Sequence, residues 1–197
     1  PFAVALESVE RYFGRKVGST AATELGGGNT AAALHVASQL GIPMVDGDQL
    51  GRAAPELHQS PTLIFGLSMA PSAVVSETGD VVFVERNAYI DDYESLARNV
   101  AVLAGAHAAV IDTPLTIPVA SKILIIGTIS KSIALGKSVR QALHDHVDPV
   151  SAVKESLDGW LLFRGIIEKY DWKNEKGFLF GEVTLRGNKD SQGHNFR

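Results

Sequence analysis

The segment that most narrows the architecture of this chain is ELGGGNTAAALHVASQLGIPMVDGD, running from Glu24 to Asp48. It follows the small-residue run STAATEL, passes through Gly26, Gly27 and Gly28, and then places Ala33, Val36, Ala37 and Leu40 on one helical face before Gly41 and the apolar run IPMV. Strand, glycine turn, helix and strand in immediate succession make the crossover unit of a parallel sheet. Asn29 is placed to cap the helix and Gly41 to stop it. Asp46 then falls at the carboxyl end of the second strand, the edge of an open parallel sheet where ligands bind because strand ends and helix amino termini converge there.

The remaining sequence alternates between helical and strand-like periods. Phe2, Leu6, Val9 and Phe13 recur at spacings of four and three, with Pro1 in the first turn and Gly14 closing the helix. SPTLIFGLS reads as a strand, SAVVSETGDVVFVER as a hairpin turning on Thr78, Gly79 and Asp80, and AAVIDT as a further strand. Tyr93, Leu96, Val100 and Leu103 mark a helix capped by Asp91 or Asp92. Thr128 can cap another, in which Ile129, Ile133, Gly136, Val139 and Leu143 form a core-facing stripe ending near His144. Asp148 and Pro149 signal one short helix, and beyond Gly159 the runs WLLFRGIIEKYDW and FLFGEVTLRG, joined by a KNEKG turn, read as strands. The expectation is an α/β fold, a parallel or mixed sheet with helices on its faces, over residues 1–158, followed by the beginning of a mostly β domain over residues 159–197. The start at Pro1 and the polar close GNKDSQGHNFR lead to the expectation that this is the central piece of a longer protein.

Composition removes several functional classes. Eighteen Lys and Arg are scattered among 22 Asp and Glu, a net charge of −4, which argues against a nucleic-acid surface. Apolar runs such as KILIIG fall far short of the ~20 residues needed to span a bilayer, so a soluble, cytoplasmic protein is expected. With no cysteine there is no disulfide, no thiolate nucleophile and no Cys-ligated metal, and any metal must be held by oxygen or imidazole. No G-x-S-x-G occurs, which removes the serine hydrolase elbow.

Three constellations remain. Gly27, Gly28 and Asn29 could present backbone amides to an anion at a helix amino terminus, or the glycines could serve only a positive φ or close packing. No lysine follows them and the spacing is not that of a dinucleotide fingerprint, so nucleotide binding ranks third among the readings. Glu24, Asp46, Asp48 and Glu56 are expected at one sheet edge, with QLGRAAPEL returning Glu56 and His58 over it. Clustered carboxylates repel, and they require either a cation or the forked guanidinium of Arg52. As a metal site, Asp46, Asp48, Glu56 and His58 would suit magnesium, manganese or, through the imidazole, zinc. Otherwise the cluster consists of ion pairs and helix caps. Thr128 and Ser130 open a helix and could line an oxyanion pocket or simply cap. His107 and Asp112 bracket a strand and could approach one edge.

The motifs ELGGGNT, PMVDGDQLGRAAPEL, GTIS and LLFRG, met over nearly the whole chain, resemble the S-methyl-thiohydantoin desulfurase-like family. The resemblance covers the family's middle, whose members carry a further Gly-rich segment upstream and more β structure downstream. It departs at His58–Gln59, where many relatives have a Gln–Met pair, and at Gly47, where alanine is common. The resemblance implies hydrolytic removal of sulfur from a thiohydantoin ring, a cyclic ureide or thioureide as substrate, a bound divalent metal, and association with a hydantoinase or oxoprolinase subunit or domain. Self-association is compatible with it. On that reading Glu24, Asp46 and Glu56 ready the water, while Gly27, Gly28, Asn29, Arg52, Thr128 and Ser130 orient the ring and its developing charge. The rival is a non-catalytic module in which these carboxylates are structural.

Overall fold

The computed structural model describes residues 1–175, 178–187 and 195–196. The chain divides into two compact units, Pro1–Lys131 and Ser132–Arg197.

The first unit opens with helix α1 (Phe2–Phe13), which ends at Gly14 with φ 63°, a left-handed value that glycine adopts without cost. Strand β1 (Thr20–Ala22), helix α2 (Asn29–Leu40) and strand β2 (Met44–Asp48) form the expected crossover, with β1 and β2 parallel. Thr20 pairs with Met44 but Ala22 with Asp48, so two residues of β1 span four of β2 and the ladder is irregular there. Strand β2 therefore runs on to Asp48, leaving Asp46 inside the strand instead of at its end.

Strands β3 (Ser72–Ser76) and β4 (Val81–Val84) make the hairpin read from the sequence. Gly79 turns it at φ 101°, and Ser76, Thr78 and Asp80 hydrogen-bond within it. Helix α3 (Ile90–Leu103) and strand β5 (Ala108–Ile111) follow, and β5 pairs antiparallel with β3 to give the order β4-β3-β5. All five β3 residues are buried. Ala5 and Val9 of α1 pack with Ala73, Val75 and Ala109 on one face. Strand alternation puts Ser72, Val74 and Ser76 on the other, and α3 contacts both β3 and β5.

Helix α4 (Ile117–Ile123) and the two-residue strand β6 (Ile125–Ile126) were not legible; β6 pairs antiparallel with β2 and completes the mixed sheet β1-β2-β6. Helix α5 (Thr128–His144) ends where the sequence predicts. In the second unit, helix α6 (Pro149–Leu157) begins on Asp148, whose carboxylate accepts the Val150 amide at 3.3 Å. Strands β7 (Gly165–Glu175), β8 (Phe178–Gly187) and β9 (Asn195–Phe196) form an antiparallel sheet. The expected KNEKG turn lies partly outside the described residues.

Some local expectations give way. SPTLIFGLS is not a strand: Leu57–Gln59 and Pro61–Leu63 form two 3₁₀ turns, the second capped by the Ser60 side chain, and Ile64 is left 86% exposed. Pro61 lacks the amide a ladder needs, and the Ser60 hydroxyl offers the backbone a local partner that competes with sheet pairing. The buried stripe of α3 is Tyr93, Glu94 and Ala97, with Leu103 88% exposed, and neither Asp91 nor Asp92 caps the helix. In α5, Ile129 and Ala142 are buried whereas Ile133 and Leu143 are exposed.

Candidate functional site

Glu24 stands two residues beyond the end of β1, and the paired Ala22 and Asp48 bring it to the same sheet end as Asp48. The loop after β2 does return to it, but with backbone: Glu24 Oε2 accepts the Ala54 amide at 2.6 Å. Its other oxygen accepts the Asn29 side-chain amide. Asn29 is thus the first helical residue, not the cap, and Gly28 takes the cap position with no side-chain bond. Gly26, Gly27 and Gly28 are exposed, none has a positive φ, and a Cβ on any of them would meet nothing within 4 Å. Neither of the conformational reasons expected for this glycine run applies.

Asp46 is committed elsewhere. Its carboxylate accepts the Ser130 amide at 2.9 Å and the Ser130 hydroxyl at 2.6 Å, and its carbonyl accepts the Gly127 amide at 2.8 Å. The Ser130 hydroxyl first, then the Ser130 amide, hold the Asp46 carboxyl below the usual range; burial opposes them, and the Ile129 amide adds a lesser lowering. The amino terminus of α5 is therefore filled by a carboxylate, and the oxyanion pocket expected at Thr128 and Ser130 is not what these groups make; the Thr128 hydroxyl donates to the Ile125 carbonyl at 3.3 Å. Asp48 is fully buried, with Oδ2 accepting the Leu50 and Gly51 amides at 3.1 and 2.6 Å. Its Oδ1 has no hydrogen-bond partner.

Glu56 and His58 form a half-buried pair, Oε2 to Nε2 at 3.2 Å, with Gln59 Nε2 on the same oxygen at 3.0 Å. His58 Nδ1 is buried without a hydrogen-bond partner and lies 3.8 Å from Asp91 Oδ1 in the first turn of α3. Arg52 forks onto no carboxylate among the described residues; it is exposed and donates to the Ala53 carbonyl at 3.4 Å. The forked pair is Arg98 on Glu94, four residues apart on α3, whose spacing was visible in the sequence but not singled out. Glu94 also accepts the Leu57 amide at 2.7 Å, and Arg98 donates to the Pro55 carbonyl at 3.0 Å. Residues 54–57 are thus tied down from both sides, by Glu24 and by α3.

Asp46, Asp48, Glu56 and His58 do not come together as a metal centre: no group of three or more His, Asp or Glu able to hold a metal ion is present among the described residues. The physical reason is that Asp46 is turned onto Ser130 and one oxygen of Asp48 onto the Leu50 and Gly51 amides, so the two carboxylates are engaged by different partners. His107 and Asp112 lie at opposite ends of the four-residue β5, not at one edge.

Family models describe this chain as S-Me-THD-like, with the N-terminal domain over residues 1–86 and the C-terminal domain over residues 88–197. A crystal structure of a protein from Chromobacterium violaceum matches 95% of this chain at a TM-score of 0.68 and 21% identity, which shows a shared fold. The chain spans 52% of that protein's length. No curated protein matches. No described helix is long and apolar enough to cross a membrane.

Proposed function

Because the chain belongs to the S-Me-THD-like family, we propose that the protein is a hydrolase of hydantoin-type rings that removes sulfur from a thiohydantoin. Water adds to the ring carbon between the two nitrogens, the carbon–sulfur bond breaks, and an S-methyl substrate leaves as methanethiol and a hydantoin. The observation that carries a hydrolytic role is the Glu56–His58 pair. Glu56 Oε2 lies 3.2 Å from Nε2 of the imidazole and orients the ring, an arrangement suited to a general base toward a water that reaches the pair. No step is routed through a metal, for want of a ligand set. A cytoplasmic setting agrees with the absence of cysteine.

The test is thiol release from an S-methyl-thiohydantoin, with hydantoin formed in equal amount. Glu56→Gln and His58→Gln are each expected to slow turnover about 100-fold or more while leaving the circular dichroism unchanged. Undiminished turnover in both sinks the assignment. The rival, a non-catalytic module partnering a hydantoinase or oxoprolinase protein, is favoured by the structural use of Glu24 and Asp46. It predicts no thiol release and co-purification with such a partner.

A further inference from the structure

A second polar cluster lies where α3 crosses the end of β3 and β5. The ladder pairs Ala73 with Ile111, so Ser72 stands opposite Asp112 one step past its end, on the face away from α1. Tyr93 descends onto that face from the first turns of α3 and is 2% exposed, while Ser72 is fully buried. The Ser72 hydroxyl is near enough to act on Tyr93, yet neither hydroxyl has a partner in hydrogen-bond geometry. A buried hydroxyl left without a partner loses its hydration with nothing in return. The backbone is strained at the same place: Thr113, a β-branched residue, sits at φ 47°, held there by its amide on the Met69 carbonyl at 2.9 Å. Its hydroxyl donates to Asp112 Oδ1 at 3.0 Å. Asp112 is the least buried member of the three.

We propose that Ser72, Tyr93 and Asp112 form the subsite that grips the amide edge of a cyclic ureide or imide. This rests on the hydrolase reading above and supplies the ring-binding groups which that reading lacks. Burial first, with the nearby Asp112 and Glu94 charges adding to it, holds the Tyr93 hydroxyl well above its ordinary range, so it stays protonated and calls for a carbonyl or thiocarbonyl acceptor. Asp112 accepts from a ring N–H. A donor beside an acceptor complements the adjacent C=O and N–H of a ureide, whereas an anion would meet Asp112 and Glu94.

The experiment is titration of the protein with unsubstituted hydantoin, followed by calorimetry, alongside thermal melts of Tyr93→Phe, Ser72→Ala and Asp112→Asn. Tyr93→Phe is expected to weaken hydantoin binding about tenfold, the loss of one hydrogen bond, while its melting temperature holds or rises because an unpartnered buried hydroxyl has gone. A merely structural tyrosine predicts the reverse, a lower melting temperature and unchanged binding. Hydantoin bound equally by the wild type and all three variants overturns the subsite and leaves the hydrolase reading standing. No binding of hydantoin by the wild type removes both. A cation bound in an Asp112-dependent manner, with hydantoin unaffected, also overturns the subsite.

Discussion

Asp46 and Ser130, 84 residues apart in sequence, are joined twice, the carboxylate of one taking both the amide and the hydroxyl of the other. A strand side chain thereby caps the helix that begins two residues earlier, at Thr128. Asp46 is exposed and its carboxyl is held low by these bonds. A carboxyl lowered in the folded state stabilises above its unfolded pKa, and the benefit is lost as pH falls through the folded value. Asp46→Asn is expected to lower the melting temperature at neutral pH and to flatten the acid limb of a melting-temperature profile, with Ser130→Ala doing the same in part.

Asp112 should show the opposite sign. Burial raises its carboxyl from 3.8 to about 6, with the Thr113 hydroxyl working against that rise. The folded state then binds the proton more tightly than the unfolded one, so stability is greatest below pH 3.8 and falls as pH rises through about 6. The loss is about 3 kcal/mol at most. Asp112→Asn keeps the neutral form, and urea denaturation at pH 7 should find it more stable than the wild type, with the advantage gone near pH 4.

Gly47 has a reason to be glycine in this chain. A Cβ there would lie 2.9 Å from the Ile125 carbonyl of β6, a backbone atom that can yield only if the strand moves. Gly47→Ala is expected to cost about 1–3 kcal/mol, measured by chemical denaturation. Relatives with alanine at this position are predicted to place β6 farther from β2.

The latch on residues 54–57 depends on Arg98, which neutralises the nearly buried Glu94. Arg98→Ala strands that carboxylate and should cost about 2–4 kcal/mol. If the latch holds Glu56 and His58 in place, turnover falls as well, with backbone amides of 54–58 exchanging faster with deuterated solvent.

The elements legible in the sequence were those whose signals are local. Helix α1 shows its stripe and its glycine stop; the β3–β4 hairpin shows Thr78, Gly79 and Asp80; α6 shows Asp148 and Pro149; and the β1-α2-β2 crossover shows its whole order. Strand β6 was missed because two residues carry no period, and it exists only because β2 offers an edge. Family membership was likewise readable, since it rests on residues in register along the chain.

What the sequence determined alone was that Glu24 and Asp48 would stand near one sheet end. What tertiary structure decided was their employment. Glu24 meets an amide 30 residues away and Asp46 one 84 away, pairings set by loop return and by β6 docking, which no local pattern encodes. Carboxylates pair with whatever donors the fold delivers, and here backbone amides reached Glu24, Asp46 and Asp48 while an imidazole reached Glu56.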